Sequence, residues 1–215
     1  MKLLVGTRNP GKIAEIRELL AGLPYELVFP QNLGLDPLPE EADLESGTSF
    51  HENAILKARY FAGRSGLPTV AEDSGLEVDA LGGMPGVRSA RWAGAQGAAA
   101  DEANNRLLLE QLRHVPPTHR TARYRCVVAY LATLEASPQS VEAVTEGAIL
   151  EAPRGAGGFG YDPLFLSAEL GRTFAEVSAP TKNRVSHRGR AFRALAELLF
   201  RSSGVDGEAA DPLQH

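Results

Sequence analysis

Three short stretches of this chain hold residue types whose spacing suits the binding of phosphate, of a hard metal ion and of an aromatic ring. The first is Gly6-Thr7-Arg8-Asn9-Pro10-Gly11-Lys12, a G-x-x-x-x-G-K pattern. Where such a run follows a strand and opens a helix, backbone N–H groups and the helix dipole point at an anion, and the lysine adds its charge. A Walker A loop then needs Ser or Thr to ligate Mg²⁺ through a hydroxyl, but here Ile13 follows. The run can therefore grip phosphate without being a P-loop, and taken alone it also fits a turn with an exposed lysine.

The second stretch is the acidic set Glu45, Glu72 and Asp73. Mg²⁺ takes one or two carboxylates and completes its shell with waters and phosphate oxygens, so an acidic pair at a strand end is a suitable seat. Glu72 reads as a turn former, whereas Asp73, with the hydroxyl of Ser74 and the close-approach backbone of Gly75 beside it, reads as functional. The third is Gly158-Phe159-Gly160-Tyr161-Asp162, where glycines leave an aromatic face open for a base to stack on, a contact of roughly 1–3 kcal/mol. Asp162 suits a base-edge donor, although such a loop also fits a turn that covers the core. Lys182 and the run Ser186-His187-Arg188-Gly189 add a basic cluster, in which His187 suits either a base carbonyl or phosphate contact or a helix-start cap.

These residues need elements to position them. Residues 3–5 read as a short buried strand, 6–11 as a turn, and the next helix places Ile13, Ile16, Leu19 and Leu20 on one face. A second helix over 49–62 starts at Ser49 with Glu52 at capping-box spacing, which sets Ala54, Lys57 and Ala58 on neighbouring turns. A strand over 67–71 runs into Glu72-Asp73-Ser74-Gly75, followed by an ordered loop over 82–94 and a helix over 101–114. Residues 121–134 and 141–151 read as two longer strands joined through Ser137-Pro138 in a hairpin-like pair, and 164–166 as a short strand. The last helix, 187–200, carries a stripe of Phe192, Leu195 and Leu199. This pattern predicts a mixed α/β protein whose central, partly antiparallel sheet supports a site between two lobes. Residues 1–202 read as one two-lobed domain and the polar 203–215 as a disordered tail.

Composition narrows the function classes. With 22 basic and 27 acidic residues and a net charge of -5, no broad footprint for nucleic acid is expected. The single cysteine, Cys126, rules out an intramolecular disulfide and a thiolate zinc cluster, and its place in an apolar run marks a buried structural thiol. No apolar run approaches the roughly 20 residues that span a bilayer, and the amino terminus lacks a signal-peptide core, so a cytoplasmic protein without a membrane partner is expected.

Taken in order, TRNPGK, SFHENAILKA, AEDSGLEVDALGGMPGVRSARWAG, GGFGYDPLF and SHRGRA closely resemble the inosine/xanthosine triphosphate pyrophosphatase family, over residues 3–199. The resemblance implies an elongated α/β fold with a long mixed sheet, two lobes around a substrate cleft, and a homodimer. It implies Mg²⁺-dependent attack of water at the α-phosphate of aberrant purine nucleoside triphosphates such as ITP, dITP and XTP. By motif position, Thr7, Arg8, Asn9, Pro10, Gly11 and Lys12 are the triphosphate loop, with Asn53 and Lys57 assisting. Asp73 is the proton acceptor and a metal ligand, Glu45 the second metal-associated carboxylate, and Ser74 a substrate contact. Phe159, Gly160, Tyr161, Asp162, Lys182, His187 and Arg188 recognise the base and substrate. The chain departs from many relatives in having Glu72-Asp73 in place of two aspartates, and Asp36, Glu40, Glu41 and Asp43 surround the register of Glu45. Two rival readings are a P-loop kinase or ATPase releasing orthophosphate, which Ile13 disfavours, and a nucleotide sensor without chemistry, which the acidic set disfavours.

Overall fold

The computed structural model describes residues 1–95 and 99–202; the tail expected at 203–215 lies outside the described residues. Strand β1 (Lys2–Val5) has Leu3, Leu4 and Val5 fully buried, as a strand covered on both faces must. It releases the chain into helix α1 (Pro10–Leu19), which Pro10 opens and Asn9 caps by accepting from the Lys12 N–H at 3.1 Å. Strand β2 (Glu26–Val28), too short to show a period in the sequence, returns parallel to β1. Helix α2 (Phe50–Ser65) starts as expected at Ser49, whose hydroxyl accepts from the Glu52 N–H. The Glu52 carboxylate turns to Thr48 instead of back to Ser49, so only half of a capping box forms.

Strand β3 (Thr69–Val78) corrects the reading that ended this strand at residue 71 and placed the acidic doublet in a turn. The strand continues through Glu72 and Asp73 because β4 (Thr121–Leu131) pairs with all of it, from Thr69↔Leu131 to Val78↔Ala122, and because both carboxylates meet buried cations. Helix α3 (Ala100–Gln111) follows, and β4 forms the expected antiparallel pair with β5 (Gln139–Ile149). The chain ends with β6 (Phe165–Ser167), the unforeseen short helix α4 (Ala179–Val185) and α5 (His187–Ser202).

The strands form one six-stranded mixed sheet in the order β2-β1-β3-β4-β5-β6. Helices α1 and α5 cover one face, where Ile16, Phe192, Leu195 and Leu199 meet Leu3, Val5, Val70, Cys126 and Val128; α2 covers the other with Ala54 and Ala58 against Ala71, Val127 and Ala129. Each large side chain buried there contributes about 1.5–3 kcal/mol. Leu108 and Leu112 of α3 join Leu76, Tyr124, Phe165 and Phe174 in a further cluster. Cys126 is fully buried, as expected of a structural thiol. Among the described residues no helix is long and apolar enough to cross a membrane.

One detail of the sheet places the site. β1 pairs with β3 only at Leu4↔Thr69 and Val5↔Val70. Among the described residues no strand pairs with this edge of β3 beyond Val70, so the loop leaving β1 and the residues on both faces of β3 border one opening, outside the carboxyl end of a parallel strand.

Candidate active site

That opening is a cleft lined by Asn9, Lys12, Glu45, Asp73 and Ser74 at one end and by Phe159, Gly160, Tyr161, Asp162, Lys182, His187 and Arg188 at the other. The two ends touch. A Cβ added to Gly11 would lie 2.7 Å from Phe159 Cδ1, so glycine is needed there for the ring to pack on the loop. Thr7, Arg8 and Pro10 do not line the cleft. The Thr7 hydroxyl accepts from the Asn9 N–H at 3.3 Å and shapes the turn. Arg8 turns away: its guanidinium donates to both Glu41 oxygens at 2.7 and 2.8 Å and to the Leu35 carbonyl at 2.8 Å. Arg8→Ala is therefore expected to cost about 1 kcal/mol of stability, the scale of a partly exposed ion pair, with KM for a triphosphate unchanged. A KM raised tenfold or more would put Arg8 on the nucleotide instead.

Adjacent residues of a strand face opposite ways, and the acidic doublet follows that rule. Asp73 faces α2. Its Oδ1 accepts from Lys57 Nζ at 2.7 Å and its Oδ2 from Asn53 Nδ2 at 2.9 Å. Asn53 in turn accepts from the Gly47 N–H at 2.8 Å, and Lys57 Nζ also donates to Glu45 at 2.9 Å. Asn53 and Lys57 thus stand behind Asp73 and Glu45 and do not line the cleft. Burial raises the Asp73 carboxyl above the ordinary aspartate value, outweighing the nearby Lys57 and Lys12 charges. Burial also pushes Glu45 up, but there Lys57 and Lys12 prevail and hold it below the ordinary value. Arg91, which the sequence did not single out, completes the set by donating to the Glu45 carboxylate at 2.6 Å.

Glu72 faces the other side. It is buried, ion-paired with Lys12 Nζ at 2.6 Å and 3.7 Å from Arg188 Nη2, and these charges hold it far below the usual carboxylate range despite its burial. Arg188 also donates to Ser74 Oγ at 2.8 Å and to Glu15 at 2.5 Å. Glu15, a second residue the sequence reading missed, pairs with Lys182 Nζ at 2.8 Å as well. Its position three residues after Lys12, on the same helix face, was the available signal.

At the other end the Phe159 ring lies 4.8 Å from Lys182 Nζ and 5.5 Å from the Arg188 guanidinium carbon. Asp162, read as a base-edge acceptor, is engaged within the protein: it accepts from the Phe159 N–H at 3.0 Å, pairs closely with Lys182 and stands 3.5 Å from the Tyr124 hydroxyl. Tyr161 is buried and donates to the Ser89 carbonyl at 2.9 Å. His187 is no surface cap. It is 3% exposed and stacked on Tyr124 with centroids 4.6 Å apart, and its Nδ1 has no hydrogen-bond partner among the described residues. Burial, then the Arg188 and Lys182 charges, holds its pKa well below 6.5, so the imidazole is neutral at pH 7. A pH–activity profile between 6 and 8 should accordingly carry no ionisation that His187→Asn removes.

For metal, no group of three or more His, Cys, Asp or Glu side chains comes together among the described residues. Glu45 and Asp73, joined through Lys57 at the cleft, offer the hard carboxylate oxygens of an ion that takes one or two protein ligands and the rest from water and phosphate. The donor set fits such an ion.

Residues 3–198 match the sequence pattern of the Ham1 family. The chain belongs to the Ham1 family. It is 51% identical over 200 residues to the dITP/XTP pyrophosphatase of Thioalkalivibrio sulfidiphilus, covering 93% of this chain and 98% of the relative. It is 49% identical over 197 residues to the dITP/XTP pyrophosphatase of Thermus thermophilus, covering 92% and 91%. Among solved structures, a HAM1 protein from Coxiella burnetii superposes with a TM-score of 0.82 at 36% identity, covering 94% of this chain and 99% of that one. A nucleoside-triphosphatase, dITP/XTP pyrophosphatase, from Mycobacterium abscessus does so with a TM-score of 0.70 at 44% identity, covering 93% and 100%. The mixed six-stranded sheet is thus the Ham1 fold, and the cleft beside β3 brings Lys12, Asp73 and Phe159 together.

Proposed function

We propose that this Ham1 chain is a nucleoside triphosphate pyrophosphatase that hydrolyses aberrant purine nucleotides (ITP, dITP and XTP) to the monophosphate and pyrophosphate. The single observation that carries this reading is the continuity of the cleft. Lys12 and the carboxylates Asp73 and Glu45 stand at one end, an aromatic ring and buried donors at the other, and Gly11 against Phe159 joins them.

Lys12 and the start of α1 neutralise the triphosphate and hold it in line. Glu45 and Asp73 are the residues that would hold Mg²⁺, which supplies Lewis-acid polarisation of the phosphate oxygens when bound. Asp73 orients the attacking water and is the acceptor nearest to its proton; a carboxylate that also holds the ion would be a weak base, so holding the ion and the water is the larger part of its role. The water oxygen bonds to the α-phosphorus, the α–β bridge breaks, and pyrophosphate leaves with the electron pair. At the far end the base stacks on Phe159, while donors of His187 and Arg188, whose Nδ1 and Nε have no hydrogen-bond partner among the described residues, favour a 6-oxo purine. An adenine amino group facing them would leave unpaired donors, a penalty of about 1–3 kcal/mol.

A steady-state assay tests this directly: pyrophosphate release from ITP, XTP, ATP and GTP, with and without Mg²⁺. Release from ITP and XTP at least tenfold above ATP, lost on chelation, is expected. Orthophosphate with a diphosphate product would favour the kinase-like rival, and tight binding without any product the sensor. We also propose a homodimer, as the resemblance implies, and a cytoplasmic location, as the single cysteine and the lack of a signal-peptide pattern suggest; sedimentation at micromolar concentration checks the dimer.

A further inference from the structure

Helix α3 reaches the cleft from outside every motif that carries the proposed reaction. Asp101, in its first turn, accepts from the Gly160 N–H at 2.7 Å, and Asn105, one turn later on the same face, donates to the Gly160 carbonyl at 2.9 Å. Between them Asn104 accepts from the Ala93 N–H at 2.8 Å and donates to the Ser89 and Ala90 carbonyls at 3.2 Å, so the helix is itself moored to the turn that Tyr161 also grips.

The consequence falls on Phe159. The peptide before it is pinned by its own N–H to Asp162 Oδ2. The peptide after it is pinned by Asp101, with a longer bond of 3.3 Å from the Asp162 N–H to the Phe159 carbonyl. With both flanking peptide planes held, φ and ψ of Phe159 are fixed and the ring keeps its place over Gly11. Gly160 has φ +63°, a left-handed conformation, and as a glycine it would otherwise sample many others. Asp101 and Asn105 take up both of its backbone polar groups and remove that freedom before a ligand arrives.

We infer that Asp101 and Asn105 are positioning residues for nucleobase binding: they clamp the Gly160 peptide and preorganise Phe159 as a stacking platform. This rests on the proposed base site and adds to it two residues that touch neither the phosphates nor the carboxylate centre. It predicts a loss of affinity confined to ligands that carry a base.

The test compares Asp101→Ala, Asn105→Ala and Asp101→Asn with the unaltered chain, using ITP as substrate and inorganic tripolyphosphate, which has no base, as competitor. Asp101→Ala is expected to raise KM for ITP about tenfold with kcat within about twofold, and to leave the tripolyphosphate Ki unchanged. Asn105→Ala should move KM the same way. Asp101→Asn keeps an acceptor oxygen and should recover most of the affinity. An unchanged KM, an equal rise in the tripolyphosphate Ki, or an asparagine variant as weak as alanine would overturn the clamp. If Asp101→Ala melts below assay temperature, Asn105→Ala and Asp101→Asn decide by the same criteria. Should the unaltered chain release no pyrophosphate from ITP, the proposed function fails; the clamp is then judged by equilibrium binding of IMP to the same variants, where a tenfold weakening in Asp101→Ala still supports it and no weakening refutes it.

Discussion

Replacing Asp73 by asparagine is expected to lower kcat for pyrophosphate release by on the order of 10³-fold while leaving the melting temperature nearly unchanged. The two halves of this result have separate causes. Turnover falls because an amide neither accepts the proton of water nor offers a charged oxygen to the ion shared with Glu45. Stability does not fall, because burial already outweighs the cations around Asp73 and raises its pKa in the folded protein. A carboxyl with a raised folded pKa gives up its proton more readily when unfolded, so its cost to stability grows as pH rises from the unfolded value and is fully present above the folded one. At pH 7 the neutral amide removes that cost, but its NH2 group faces one of the two donors, Asn53 Nδ2 or Lys57 Nζ, that the carboxylate satisfied, and the two effects offset. Lys57 is not stranded, since Glu45 remains 2.9 Å away. Single-turnover kinetics and thermal unfolding of the same preparation check both halves; near-normal turnover would remove Asp73 from the centre of the chemistry.

Glu72→Gln, one residue earlier, should do the reverse to stability. The Glu72 side chain is 1% exposed and balances Lys12 and Arg188. Arg188 keeps Glu15, but Lys12 loses its only ion-pair partner among the described residues. Breaking a buried pair from one side costs about 3–5 kcal/mol, and at 2–4 °C per kcal/mol for a chain of this size the melting temperature should drop by roughly 10 °C. The pH dependence supplies the sign. Glu72 is held below its unfolded value of 4.5, so its contribution is complete above that pH and is lost as pH falls toward the depressed folded value. The gap between the two proteins should be widest at pH 7 and narrow in acid. A gap that stays constant as pH falls from about 5 to about 3 would mean that shape, not charge, holds Glu72 in place.

These adjacent acids also show where the sequence was legible. Signals completed within a few residues were read correctly: a strand followed by Gly6 to Lys12 and a helix, Ser49 as a cap, and the long pair that became β4 and β5. Partners distant in sequence were not. The strand β3 was cut at residue 71 because an acidic pair looks like a turn until Lys12, Lys57 and Arg188 are folded against it. Arg8 was counted with the phosphate loop because Glu41, its partner, is 33 residues away. Asn53 and Lys57 came from the family resemblance, as assistants of the phosphate loop, and their place behind Asp73 needed coordinates. Glu15, Asp101 and Asn105 lie in no motif, and Arg91 lies in one without a recognisable role of its own; all four act only through residues that others bring near.

The pleat that sends Glu72 and Asp73 to opposite faces of β3 also bears on how this protein can change over generations. Two neighbouring acids invite the idea of a spare, in which one stands in when the other is lost. Here a backbone lies between them, and shifting the strand by one residue would turn every apolar side chain of β3 to the wrong face. A suppressor of a lesion at either position is therefore expected on that acid's own side of the sheet, in α2 for Asp73 or in α1 and α5 for Glu72, and the lysines Lys12 and Lys57, whose charges reach both acids, are where the two lineages of compensation can meet.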